Sequence, residues 1–108
     1  MESGPARPAA PENGNEGGVV ENTDRHRFEL ALGDGSIAAA YYRIDPHGRL
    51  VLTHTEVPSD HGGQGIGTRL ATQVFEQIRA SGRKAVLLCP FMAHFYVKHP
   101  EYSDIVDG

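Results

Sequence analysis

The stretch from Val57 to Leu70, Val-Pro-Ser-Asp-His-Gly-Gly-Gln-Gly-Ile-Gly-Thr-Arg-Leu, restricts the fold of this chain more than any other. Gly62, Gly63, Gly65 and Gly67 fall within it. Glycine inside a helix costs about 1 kcal/mol relative to alanine, so the segment reads as a loop that delivers the chain into a helix. No Ser, Thr, Asp or Asn stands immediately ahead of Gly65 to cap the first amides. Where water does not satisfy such N–H groups, an anion at the helix N-terminus is the usual acceptor. The stretch is therefore expected to form a phosphate cradle between a strand and a helix.

Its flanks agree with that placement. From His26 to Leu32 the pattern alternates, with Phe28, Leu30 and Leu32 on one face. Gly33-Asp34-Gly35-Ser36 makes a turn, and Ile37 to Ile44 follows as a second strand with Tyr41 and Tyr42 on opposite faces. After Asp45-Pro46-His47-Gly48 the third strand, Leu50 to Val57, is expected to send Leu50, Leu52, His54 and Glu56 one way and Val51, Thr53, Thr55 and Val57 the other. Short turns between these strands imply a three-stranded antiparallel meander. Beyond the loop, Ile66, Leu70, Ala71, Val74, Phe75 and Ile78 recur at helical spacing, with Gly82 as the residue that ends the helix. Ala85 to Leu88 is a short apolar run suited to a buried strand, reached by a right-handed crossover and paired in parallel. A second short helix runs from Pro90 to about Lys98, and Glu101 to Gly108 forms a loop or a short edge segment. The expected class is α/β, a meander followed by the loop helix, one parallel strand and a short C-terminal helix.

Charge and composition narrow the function. Residues 1–24 carry Glu2, Glu12, Glu16, Glu21 and Asp24 against Arg7 alone, which accounts for the whole formal charge of −4. Rich in Pro, Ala, Gly, Asn and Glu, they read as a disordered acidic tail. Residues 25–108 form one small domain that is electrically balanced, so nothing favours general nucleic-acid binding. The single cysteine, Cys89, excludes an internal disulfide framework and fits a reducing compartment. With no apolar run near the roughly 20 residues that span a bilayer, and no signal pattern, the expected location is the cytoplasm, without membrane attachment.

Two other phosphate loops do not fit. A Walker loop needs Lys followed by Ser or Thr, where this chain has Thr68-Arg69, and a dinucleotide fingerprint needs a third glycine where Leu70 stands. Instead, Val57-Pro58 followed by Gly63-Gln64-Gly65-Ile66-Gly67-Thr68-Arg69-Leu70, between a meander and a long helix, resembles the acetyl-CoA pyrophosphate loop of the GNAT N-acetyltransferase superfamily. Cys89-Pro90-Phe91, Tyr96 and His99-Pro100-Glu101-Tyr102 resemble a subgroup of very small GNAT-like proteins with a cysteine at this place. The likeness covers roughly residues 26–104. It implies that acetyl-CoA is the cosubstrate, held by Val57, Gly62, Gly63, Gln64, Gly65, Ile66, Gly67 and Thr68, with Lys98 near its phosphates. It also implies that pantetheine lies between Leu50–Val57 and Ala85–Leu88. Gly62 occupies a position where the superfamily places Gln or Arg, so the expected grip is almost entirely backbone. The helices that full-length members carry between their first two strands are missing, which leaves one side of the acceptor site open or closed by a partner.

The candidate catalytic residues are Cys89, His54, Glu56 and Tyr96. Cys89 precedes a helix-starting proline, where the helix dipole favours a thiolate able to take the acetyl group as a nucleophile. In direct transfer, His54 or Glu56 serves as base toward the acceptor amine. Tyr96 resembles the tyrosine that many superfamily members hold near the departing CoA thiolate. A metal site is not expected, because Cys89, His94 and His99, each five apart, do not share a helix face. The favoured function is acetyl-CoA-dependent N-acetyl transfer to a small-molecule or protein amine, by direct transfer or through Cys89. The alternative is a non-catalytic acyl-CoA-binding module, and a homodimer is an expected arrangement to test.

Overall fold

A computed structural model describes residues 18–58 and 65–107. Its elements are β1 (Val19–Asn22), β2 (Arg27–Ala31), β3 (Ile37–Ile44), β4 (Leu50–Glu56), α1 (Ile66–Ala80), β5 (Ala85–Leu87) and α2 (Pro90–Lys98), followed by a 3-10 turn at Pro100–Tyr102. The strands form one sheet in chain order, antiparallel from β1 to β4 and parallel between β4 and β5. This is the minimal α/β architecture expected, with one strand more at its edge.

That strand corrects the reading of residues 1–24 as a tail. Val19 is in the core, and β1 pairs with β2 from Val19↔Leu30 to Asn22↔Arg27. Its anchors are distant in sequence. Gln73 accepts from the Val19 amide at 2.8 Å, Gln77 donates to the Val19 carbonyl, and Arg83 grips the Glu21 carboxylate at 2.8 and 3.2 Å. Tyr42 donates its hydroxyl to the same carboxylate. Two valines followed by Glu21 and Asn22 are too short a pattern to announce a strand whose side-chain anchors on Gln73, Gln77 and Arg83 lie more than fifty positions away. Residues 1–17, expected to be disordered, lie outside the described residues.

Both helices pack on one face of the sheet. Phe28, Leu30, Ala38, Ala40, Tyr42, Leu50 and Leu52 meet Leu70, Val74, Phe75 and Ile78 of α1 and Met92 and Phe95 of α2 in one core cluster. Burying side chains of this size contributes about 1.5–3 kcal/mol each. Phe75 is central, with edge-to-face contacts to Phe95 and Tyr102 at centroid distances of 5.2 and 5.1 Å. Gly82, at φ 76°, ends α1 as expected: its amide bonds the Arg79 carbonyl and the Arg83 amide bonds that of Ile78. This paired pattern needs a left-handed residue after the helix, which glycine adopts without strain. The C-terminal segment is an edge element, bridging Val106 to Ala85 in parallel.

A bulge in β4 overturns one expected register. Tyr42 faces Leu52 and Tyr41 faces His54, so Thr53 is an extra residue without its own partner on β3. One inserted residue exchanges the faces of everything after it. Leu50 and Leu52 therefore lie on the helix side with Thr55, opposite core Ala40, while His54 and Glu56 pair with Tyr41 and Ala39 on the other face. Among the described residues no helix covers that second face.

Candidate active site

Pairing between β4 and β5 ends at Leu52↔Leu87. There the amides of Leu88 and Cys89 both bond the Leu52 carbonyl, at 3.0 and 2.9 Å, and Pro90 starts α2. A proline has no N–H to extend a ladder, so β5 turns away while β4 runs on through Thr53 to Glu56. The strands part, and the continuation of β4 has no β5 neighbour. A cleft of about 450 Å³ lies at this end of β4, lined by Ile37, His54, Thr55, Glu56, Val57 and Pro58.

The N-terminus of α1 is tied to the same end of β4 through the start of α2, where Cys89 meets Thr55 and Phe91 meets Gly67. Gly65 is its N-cap in the left-handed region (φ 73°, ψ 12°), without a side-chain cap and without an acidic residue in the first turn. The helix ladder begins at the Arg69 amide on the Gly65 carbonyl, 3.0 Å away. The amides of Ile66, Gly67 and Thr68 precede it and have no acceptor within the helix. Gly67 lets the Phe91 ring approach α1 closely: a Cβ there would sit 2.7 Å from Phe91 Cζ, and the ring would have to shift. The Phe91 ring thus joins the start of α1 to the start of α2. Gly62, Gly63 and Gln64 lie outside the described residues.

The four candidate catalytic residues divide between two faces. On the open face His54 and Glu56 are 60% and 61% exposed, with His54 Nε2 at 3.2 Å from Glu56 Oε2. Tyr41, which the sequence did not single out, donates its hydroxyl to Glu56 Oε1 at 3.3 Å and stacks on the His54 ring at 5.8 Å. Arg27 donates from Nη1 to the Tyr41 oxygen at 3.2 Å. Hydrogen bonds to Glu29 first, and then to Tyr41, hold the Arg27 guanidinium above its ordinary range. On the helix side Cys89 is 3% exposed at the N-cap of α2, its Sγ 3.2 Å from Thr55 Oγ1. Tyr96 is half-buried against the core cluster. Lys98 ends α2, roughly 10 Å along the axis from Phe91, so α2 separates it from the amides of α1. Tyr41 and Thr55 had no sequence signal as site residues, because strand register and the bulge bring them there, whereas Phe91 stood in the Cys89-Pro90-Phe91 motif without its contact to Gly67 being readable.

Among the described residues no group of His, Cys, Asp or Glu could hold a metal ion, and no helix is long and apolar enough to cross a membrane. The donor set fits an acyl-CoA: amides at a helix start that have no acceptor among the described residues suit a pyrophosphate, and the parted strands offer backbone groups to an extended amide chain.

A family model for GCN5-related N-acetyl-transferase matches residues 27–105, and the chain belongs to that family. Membership supports an acyltransferase role, and members generally use acetyl-CoA. Among solved structures, the solution structure of a GCN5-like protein from Staphylococcus aureus, named as a candidate N-acetyltransferase, is similar at 26% sequence identity and a TM-score of 0.65. That likeness covers 86% of this chain and 90% of the other. No curated protein matches the chain at a significant level.

Proposed function

We propose that this chain is an acetyl-CoA-dependent N-acetyltransferase that acts on an amine by direct transfer. The observation that carries the reading is the parting of β4 and β5 beyond Leu52 beside the uncapped amides of Ile66 to Thr68. Those amides would hold the pyrophosphate, with Val57, Gly65 and the loop glycines Gly62 and Gly63, and Gln64, completing the cradle. Bound acetyl-CoA supplies a thioester at the parted strands. The His54 and Glu56 pair takes the proton from an acceptor ammonium entering across the open face. Tyr96 serves as proton donor toward the CoA sulfur, and Lys98 as an outer contact for a phosphate. Direct transfer is favoured over a Cys89 intermediate because Cys89 is buried on the helix side against Thr55, on the sheet face away from that base pair.

The test follows release of free CoA thiol from acetyl-CoA with spermidine, a lysine-containing peptide and a peptide with a free N-terminus, alongside calorimetric titration with CoA. Binding together with release is expected. CoA binding without turnover on any amine would replace this reading by the acyl-CoA-binding module, and absence of CoA binding would remove both.

A further inference from the structure

We infer that His54 is the general base through its Nδ1 atom, that Glu56 fixes its orientation, and that Tyr41 is a positioning residue acting through Glu56. This rests on the acetyltransferase reading and assigns roles within it. The hydrogen-bond directions decide the matter. A guanidinium only donates, so in the contact between Arg27 Nη1 and the Tyr41 hydroxyl at 3.2 Å the phenol oxygen is the acceptor. The Tyr41 proton is then directed to Glu56 Oε1, 3.3 Å away. An ionised carboxylate only accepts, so its second oxygen, Oε2, takes a proton from His54 Nε2 at 3.2 Å. In a neutral imidazole one nitrogen carries the proton and the other accepts. With Nε2 committed to Glu56, Nδ1 holds the free lone pair.

The chain of bonds therefore runs from Arg27 through Tyr41 to Glu56, and from His54 to Glu56. Tyr41 also stacks beneath the imidazole, with ring centroids 5.8 Å apart and planes 28° from parallel. One side chain thus restrains both the carboxylate and the ring. The bulge at Thr53 makes this arrangement by turning His54 and Glu56 onto the face of Tyr41 and Arg27, with Glu56 opposite Ala39. His54 and Glu56 also line the cleft at the strand opening. In the reaction the acceptor nitrogen gives its proton to Nδ1 and uses the freed pair to form the N–C bond. The C–S pair leaves with the CoA sulfur, which takes a proton from Tyr96; the new amide nitrogen gives its remaining surplus proton to water, from which Tyr96 is reprotonated. The imidazolium is held by the Glu56 carboxylate until it returns its proton to water. A base oriented by a carboxylate that is itself oriented is the general logic of hydrolytic triads.

Two measurements test the assignment. Long-range proton–nitrogen spectra of the wild-type protein, with His54 neutral, should place its proton on Nε2, and Tyr41→Phe should shift it toward a mixture of the two tautomers. On the amine that the wild type turns over, Tyr41→Phe should lower kcat about tenfold and His54→Gln about a hundredfold or more, with KM for acetyl-CoA unchanged in both. A wild-type proton on Nδ1 would overturn the assignment without recourse to any variant. So would a Tyr41→Phe enzyme with wild-type tautomer and wild-type kcat. A wild type that releases no thiol with any amine would overturn the acetyltransferase reading itself, and the base role with it.

Discussion

Replacing Glu21 with glutamine tests whether β1 is held by the ion pair with Arg83. The Glu21 carboxylate accepts from two Arg83 nitrogens at 2.8 and 3.2 Å and from the Tyr42 hydroxyl, with side-chain exposures of 18% for Glu21 and 30% for Arg83. Bonds to charged groups contribute about 1.5–3 kcal/mol when sheltered, and exposed pairs contribute less than about 1 kcal/mol. A partly screened, two-pronged pair therefore contributes about 1–2 kcal/mol. In a domain of this size that corresponds to a loss of roughly 5–15 °C in Tm at neutral pH. The pH dependence has a definite sign. The hydrogen bond from Arg83 is the main cause that holds the Glu21 carboxyl below its usual range, against the opposing effect of burial. The unfolded chain then binds this proton more readily, so the stabilisation is complete above the ordinary carboxylate range and is lost as pH falls through the folded value. Tyr42, pushed up to about 12 chiefly by burial and then by Glu21, stays a hydroxyl donor across that range. Thermal unfolding followed by circular dichroism, at pH 7 and in steps toward acid, should show a gap between wild type and Glu21→Gln that closes at low pH. Equal Tm values at pH 7, or a gap of constant width into acid, would refute the anchoring role.

Other substitutions probe the site. Gly67→Ala should fail to gain the roughly 1 kcal/mol of helix propensity, because its Cβ meets the Phe91 ring at 2.7 Å. In a Phe91→Ala background the same change should stabilise by about that amount, and equal gains in both backgrounds, measured by urea denaturation, would show that the contact is immaterial. Cys89→Ala should lower stability by roughly 1 kcal/mol through lost packing at a buried position, while turnover stays within about twofold. A loss of activity beyond about a hundredfold with intact CoA binding would establish a covalent route instead.

The elements of the core were legible because their patterns are local. Phe28 and Leu30 alternate, the apolar residues of α1 recur at helical spacing, and Gly82 closes that helix with the left-handed turn expected of it. The uncapped glycine start of α1 was equally readable, since capping depends on immediate neighbours. Of the expected cradle residues, Gly62, Gly63 and Gln64 lie outside the described residues.

What the sequence by itself determined is thus the order and type of the main elements, the glycine-led helix start, and the list of side chains with useful chemistry. Tertiary structure alone decided which of them meet. Strand alternation predicts one face for Leu52, His54 and Glu56, and a single extra residue at Thr53 reverses it, because side-chain direction has a period of two and no local signal marks the bulge. That reversal separates His54 and Glu56 from Cys89 and sets them beside Tyr41 and Arg27. Strand β1 was hidden for a related reason: what stabilises it is supplied by Gln73, Gln77 and Arg83, which reach Val19 and Glu21 only once α1 and the following turn have packed onto the sheet.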